Sequence, residues 1–90
     1  MIATIEISMY ALSNNYEERV IAFIQRVKQN KGIRVEVNGL STQLFGEYDL
    51  LMKVLKDEMQ HDLENSKSVF VLKIGPGELT KEKLPTVLKN

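Results

Sequence analysis

Residues 3–9 alternate along the chain. Ala3, Ile5, Ile7 and Met9 fall on one side, and Thr4, Glu6, Ser8 and Tyr10 on the other. Period two predicts a strand with one apolar and one polar face. The pattern breaks at Leu12-Ser13-Asn14-Asn15. Asn14 is the expected N-cap of a helix, with Glu17 placed to reach back as in a capping box. Tyr16, Val20, Phe23, Ile24 and Val27 then recur at helical spacing and form one stripe. Lys28 and Lys31 suit a helix C-terminus, and Gly32 suits the left-handed residue that ends it.

Ile33, Val35 and Val37 alternate with Arg34 and Glu36, which predicts a second strand. Asn38-Gly39 reads as a tight hairpin turn, since both residues tolerate positive φ. Leu40 to Phe45 is the third strand, interrupted by Gly46. A second helix is expected from about Glu47–Asp49, with Leu51, Val54, Leu55, Met59 and Leu63 as its stripe. Val69-Phe70-Val71-Leu72-Lys73-Ile74 is a short, near-continuous apolar run. Such a run predicts a central, buried strand. Gly75-Pro76-Gly77 ends it.

The order is therefore β-α-β-β-α-β, an α+β class. Neither helix can bury its stripe alone, so both are expected on one face of a four-stranded antiparallel sheet, a ferredoxin-like sandwich. Residues 1–76 make this domain. Residues 77–90 are a charged tail whose Leu79, Leu84, Val87 and Leu88 would let a short helix dock on a partner subunit. The second sheet face carries Thr4, Glu6, Ser8, Tyr10, Arg34 and Glu36. The third strand adds either Leu40, Thr42 and Leu44 or the opposite set. A face of that mixture is normally covered by a ligand or a second copy.

Composition narrows the functions open to such a domain. Twelve basic residues balance twelve acidic ones, so no net charge draws the chain to nucleic acid or to an anionic membrane. The third strand also lacks the basic and aromatic pattern of RNA-recognition domains. With no cysteine in the sequence, disulfides, thiolate nucleophiles and Cys-based metal sites are excluded. The opening residues lack the pattern of a secretory signal, and no apolar run is long enough to span a membrane. The expectation is a soluble, cytoplasmic protein. His61 is the sole histidine, on the polar side of the second helix, with no partner for catalysis or metal binding nearby in sequence. Ser8, Ser41 and Thr42 have no adjacent base to activate them. No catalytic set and no metal site are expected.

The densest group of ligand-type residues is Ser41-Thr42-Gln43-Leu44-Phe45-Gly46-Glu47-Tyr48-Asp49. Together with Ile5-Glu6-Ile7-Ser8-Met9-Tyr10-Ala11-Leu12, this run resembles the YkoF-like thiamine-binding family, with the element order matching over roughly residues 2–75. The resemblance implies a single ferredoxin-like domain that assembles as a homodimer or homotetramer. It also implies binding of thiamine or its hydroxymethylpyrimidine part, with no other cofactor. The positions inside the matching runs are Ser8, Tyr10, Thr42, Gly46, Glu47 and Tyr48. Chemically, Ser8, Thr42 and Glu47 suit an aminopyrimidine, and Tyr10, Phe45 and Tyr48 offer faces for a thiazolium cation. Glu6 would supply countercharge. For all of these to act together, the polar side of the first strand must meet the corner ahead of the second helix. Two other readings stand beside binding. One is an assembly module with no ligand; the other is a small dimeric enzyme, with Glu6 as its base.

Overall fold

The structure, a computed structural model, describes residues 1–80 and 84–88. Its elements are β1 (Ile2–Ala11), α1 (Tyr16–Lys28), β2 (Arg34–Val37), β3 (Thr42–Glu47), α2 (Tyr48–Asn65) and β4 (Ser68–Pro76). A single turn of 3-10 helix, Thr86–Leu88, follows in the tail. The four strands form one antiparallel sheet in the order β2-β3-β1-β4. This is the ferredoxin-like α+β arrangement.

The alternation of β1 decides which face the helices cover. Ala3, Ile5 and Ile7 are buried and share one core with Phe23 and Val27 of α1, Leu44 of β3, and Leu51, Val54 and Leu55 of α2. These are the residues whose spacing predicted the two stripes. Three members of the predicted stripes and caps fall elsewhere. Tyr16 is exposed at the first turn of α1, and Leu63 is exposed near the end of α2. In place of Leu63 the helix buries Asp62. Asn15, not Asn14, caps α1, and it makes no side-chain capping bond.

The β2–β3 hairpin also departs from expectation. Gly39 does not take positive φ; among the described residues only Gly32 and Gly77 do. The loop spans residues 38–41 between the paired Val37 and Thr42. The Asn38 side chain organises it, its Oδ1 accepting from the Leu40 N–H at 2.8 Å and the Ser41 N–H at 3.1 Å. A side chain that bonds the backbone two residues on replaces the mirror-image turn.

β4 corrects the largest expectation. It lies at the sheet's edge, not its centre, and Val69 and Val71 are each about half exposed, at 50% and 52%. The two inner strands are β1, which pairs with β3 and β4, and β3, which pairs with β2 and β1.

After β4 the chain turns back across the uncovered face. The Gly77 N–H donates to the Ile2 carbonyl at 2.9 Å. The Thr4 hydroxyl donates to the Gly77 carbonyl at 2.7 Å and accepts from the Leu79 N–H at 2.8 Å. Leu79 lies over Gly75, where a Cβ would come within 2.5 Å of its Cδ1. One end of the open face is thereby covered, which is why Thr4 is buried although it points away from the helices.

Candidate functional site

Antiparallel pairing separates the residues expected to act together. Ile2 faces Glu47 and Ile7 faces Thr42 across the β1–β3 ladder. Ser8 therefore lies six residues along β1 from the partner of Glu47, about 20 Å at the rise of a strand. The niche expected between Ser8, Thr42 and Glu47 does not form. Glu47 caps the start of α2, and its Oε1 lies 2.5 Å from the amino group of Met1. Tyr48 packs against the helix-side core. Thr42 shares its face with Leu44, on the helix side, so the third strand shows Ser41, Gln43 and Phe45 to the open face.

The candidate residues distribute over three places. Glu6 stands mid-sheet on the open face. Its Oε2 accepts from the Ser41 hydroxyl at 3.1 Å, and its Oε1 lies 3.7 Å from Lys73 Nζ.

Phe45 and Gly46 line a broad depression of about 630 Å³ at the sheet's end, with Ile2, Ile33 and Glu78 around it. The Arg34 guanidinium lies 4.0 Å from the centroid of the Phe45 ring. It is held there by Glu36 and by Glu78, whose Oε1 accepts from Nη2 at 3.0 Å. The Glu78 hydrogen bond raises the Arg34 guanidinium above its ordinary pKa, and the charges of Glu36 and Glu78 add to it. The protein's own cation thus occupies the Phe45 face that a thiazolium would need. Gly46 has a structural reason to be glycine, since a Cβ would sit 2.8 Å from the Gly32 carbonyl oxygen. Gly46→Ala must push that backbone aside and is expected to cost about 1–3 kcal/mol, read as a lowered denaturant midpoint. An unchanged midpoint would show that the two segments are not in contact.

Ser8, Tyr10 and Thr42 come together at the opposite end. There β3 begins only at Thr42, so the ladder stops and one side of β1 beyond Ile7 has no strand partner among the described residues. The result is a notch of about 190 Å³. Val20 and Ile24 of α1 and Val37 of β2 give it apolar walls. Ser41, the first of the ligand-type run, adds a hydroxyl, and Asn38, which the sequence marks only as a turn residue, adds an amide. The cue was available in the Asn38-Gly39 pair, which marked a turn, though not the direction in which it opens. Among the described residues no side-chain hydrogen bond engages the Ser8 or Thr42 hydroxyl. Tyr10 stands at the rim, 55% exposed. Free hydroxyls, an amide and an unpaired strand edge beside an apolar wall are what a flat heteroaromatic ring requires.

His61 is exposed on α2 and lies beside Arg19, Arg26 and Asp62 on the outer surface of the two helices. No cluster that could hold a metal occurs among the described residues. No helix among them is long and apolar enough to cross a membrane.

The architecture defines the class: a ferredoxin-like α+β domain with a hydroxyl-lined notch where β1 outruns β3. No family model matches the chain, and no curated protein matches it. Solved structures do. A proposed thiamine biosynthesis/salvage protein, TM0486 of Thermotoga maritima, superposes with a TM-score of 0.78 at 20% identity, over 93% of this chain and 96% of that one. Protein SP2199 of Streptococcus pneumoniae gives 0.78 at 23% identity, over 88% and 90% of the two chains. A domain of unknown function, DUF77, from Bacillus cereus gives 0.72 at 27% identity, over 93% and 88%. These likenesses establish the fold.

Proposed function

We propose that the protein binds thiamine, or its hydroxymethylpyrimidine part, in the notch between β1, α1 and the β2–β3 loop, and that it does so in the cytoplasm as a homo-oligomer. The observation that carries this reading is the convergence of Ser8, Asn38, Ser41 and Thr42 on one small apolar recess. The likeness to TM0486 of Thermotoga maritima, a proposed thiamine biosynthesis/salvage protein, supports the choice of ligand. The recess is smaller than the ~300–1,000 Å³ of a site enclosing a whole drug-sized molecule. It suits the pyrimidine ring alone, with the thiazolium left at the rim against Tyr10. A cation on a tyrosine face gains about 0.5–2 kcal/mol depending on desolvation.

We read the notch as a binding site. Among the described residues its Ser41 hydroxyl is the one that meets a carboxylate, donating to Glu6 Oε2 at 3.1 Å. Glu6, the base of the enzyme reading, lies outside the notch and is engaged by Ser41 and Lys73.

Calorimetry with thiamine and with hydroxymethylpyrimidine tests the proposal. Thiamine at typical ligand efficiency is expected to bind with a dissociation constant of about 1–100 μM. Ser8→Ala and Thr42→Val are each expected to weaken binding roughly tenfold, the value of about one buried hydrogen bond. Glu47→Gln, at the far end of the sheet, should leave affinity unchanged. Absence of heat at millimolar ligand would remove the ligand reading. Binding that ignores both hydroxyl variants would move the site away from the notch.

Self-association alone, without a ligand, is the second reading. It is favoured by the exposed Tyr10, Val69 and Val71 on the uncovered half of the sheet. A stable oligomer that binds neither compound would select it.

A further inference from the structure

The two edges of the sheet are built very differently. β2 is short, Arg34–Val37, and carries Arg34 and Glu36. Short, charged edges resist pairing with another chain. β4 is nine residues long, and its pairing with β1 runs unbroken from Ala3–Pro76 to Ala11–Ser68, so no bulge twists the edge away. Lys73 is its only charged residue, and Glu6 of β1 faces that charge at 3.7 Å. The remaining protection is a single Pro76 at the strand's end. Long, regular, apolar edges of this kind are templates for strand addition. The composition is that of a strand with neighbours on both sides, yet one side has none among the described residues.

From this we infer that β4 pairs antiparallel with β4 of a second copy of the chain, so that the two four-stranded sheets become one continuous sheet across a two-fold axis. The inference rests on the self-association reading above and specifies its geometry.

The strand is self-complementary in this arrangement. The register that pairs every residue of Ser68–Pro76 places Leu72 on the axis. Lys73 then faces the partner's Val71, and Val69 faces the partner's Gly75. No charge meets its own copy, which is the condition an identical partner must satisfy. The chain's zero net charge adds no long-range repulsion between copies. Each copy supplies the free main-chain groups that the other lacks, and the exposed side chains of Val69 and Val71 gain cross-strand neighbours.

A charge-swap pair at residue 71 separates edge pairing from stacking of the open faces. Val71 is half exposed, so neither substitution should disturb the isolated fold, which circular dichroism can verify. In the edge-paired dimer, Val71→Lys sets two lysines opposite each other at two symmetric places and is expected to raise the dissociation constant about tenfold. Val71→Glu sets a carboxylate opposite the partner's Lys73 and should leave dimerisation intact. Sedimentation velocity over a concentration series reads both. Hydrogen exchange should show slowed amides at alternate residues of β4 as concentration rises. Equal weakening by both variants would overturn edge pairing in favour of face stacking and leave self-association standing. If both variants match a dimeric wild type, β4 is not at the interface and the inference fails. A wild type that stays monomeric at every concentration would sink self-association altogether.

Discussion

Replacing Phe23 with alanine is expected to lower the folding free energy by about 3–5 kcal/mol. The ring sits in the middle of α1, 2% exposed, inside the core shared by both helices and the sheet. Its centroid lies 5.2 Å from that of Phe70 on β4, so it ties the edge strand to the helix layer. Truncation leaves a void lined by side chains on several elements, which cannot all collapse together. A chain of this size has about 5–15 kcal/mol of total stability, so a large share goes with one residue. Thermal denaturation should show the midpoint falling by roughly 15 °C or more. Tyr16→Ala is the control from the same predicted stripe. Tyr16 is 59% exposed and its removal should stay within about 0.5 kcal/mol. A Phe23→Ala variant as stable as the Tyr16 control would mean that α1 does not pack on the sheet through this face.

That contrast shows what periodicity carries and where it stops. The alternation of Ala3, Ile5 and Ile7 and the helical spacing of Phe23, Val27, Leu51, Val54 and Leu55 named most of the core, because burial and periodicity share one cause. Tyr16 and Leu63 continue their stripes but are exposed, and at the end of α2 the buried position is Asp62, which apolar periodicity does not mark. The edge position of β4 escapes hydropathy for a related reason. An apolar run reports that neighbours are needed on both sides and does not say whether they belong to the same chain.

The separation of Glu47 from Ser8 is already contained in the element order. In an antiparallel β1–β3 pair the end of β3 must lie beside the start of β1, so Glu47 meets Ile2 and never reaches Ser8. Thr42 and Ser8 do approach one another, although they belong to opposite faces. They do so because the ladder stops at Ile7, and the length of a loop such as 38–41 is not written in hydropathy. Residue types alone single out polar groups at both ends of the sheet. Register decided which of them share a space.

Arg26→Met is expected to destabilise the fold by about 3 kcal/mol, and the added substitution Asp62→Leu to recover part of that loss. Asp62 is the one carboxylate that α2 buries among the described residues, with 3% of its side chain exposed. Arg26 reaches it from α1 through Nη2 and also donates from Nε to Glu58 Oε1 at 2.7 Å. Arg19 Nη2 approaches the other Asp62 oxygen at 3.5 Å, while Arg19 Nε is buried without a partner. Removing Arg26 therefore leaves a desolvated carboxylate with one long ion pair, and an uncompensated buried charge costs more than the intact pair contributes. Replacing both residues with apolar ones removes the stranded charge together with its partner. Arg19 tolerates the change because about a quarter of its side chain reaches solvent. Denaturant titration of the wild type, the two single variants and the double variant gives the coupling. Strong non-additivity, with the double variant more stable than Arg26→Met alone, is the expected result. Simple addition of the two single losses would show that the arginine and the aspartate act independently. The α1–α2 contact would then rest on apolar packing alone.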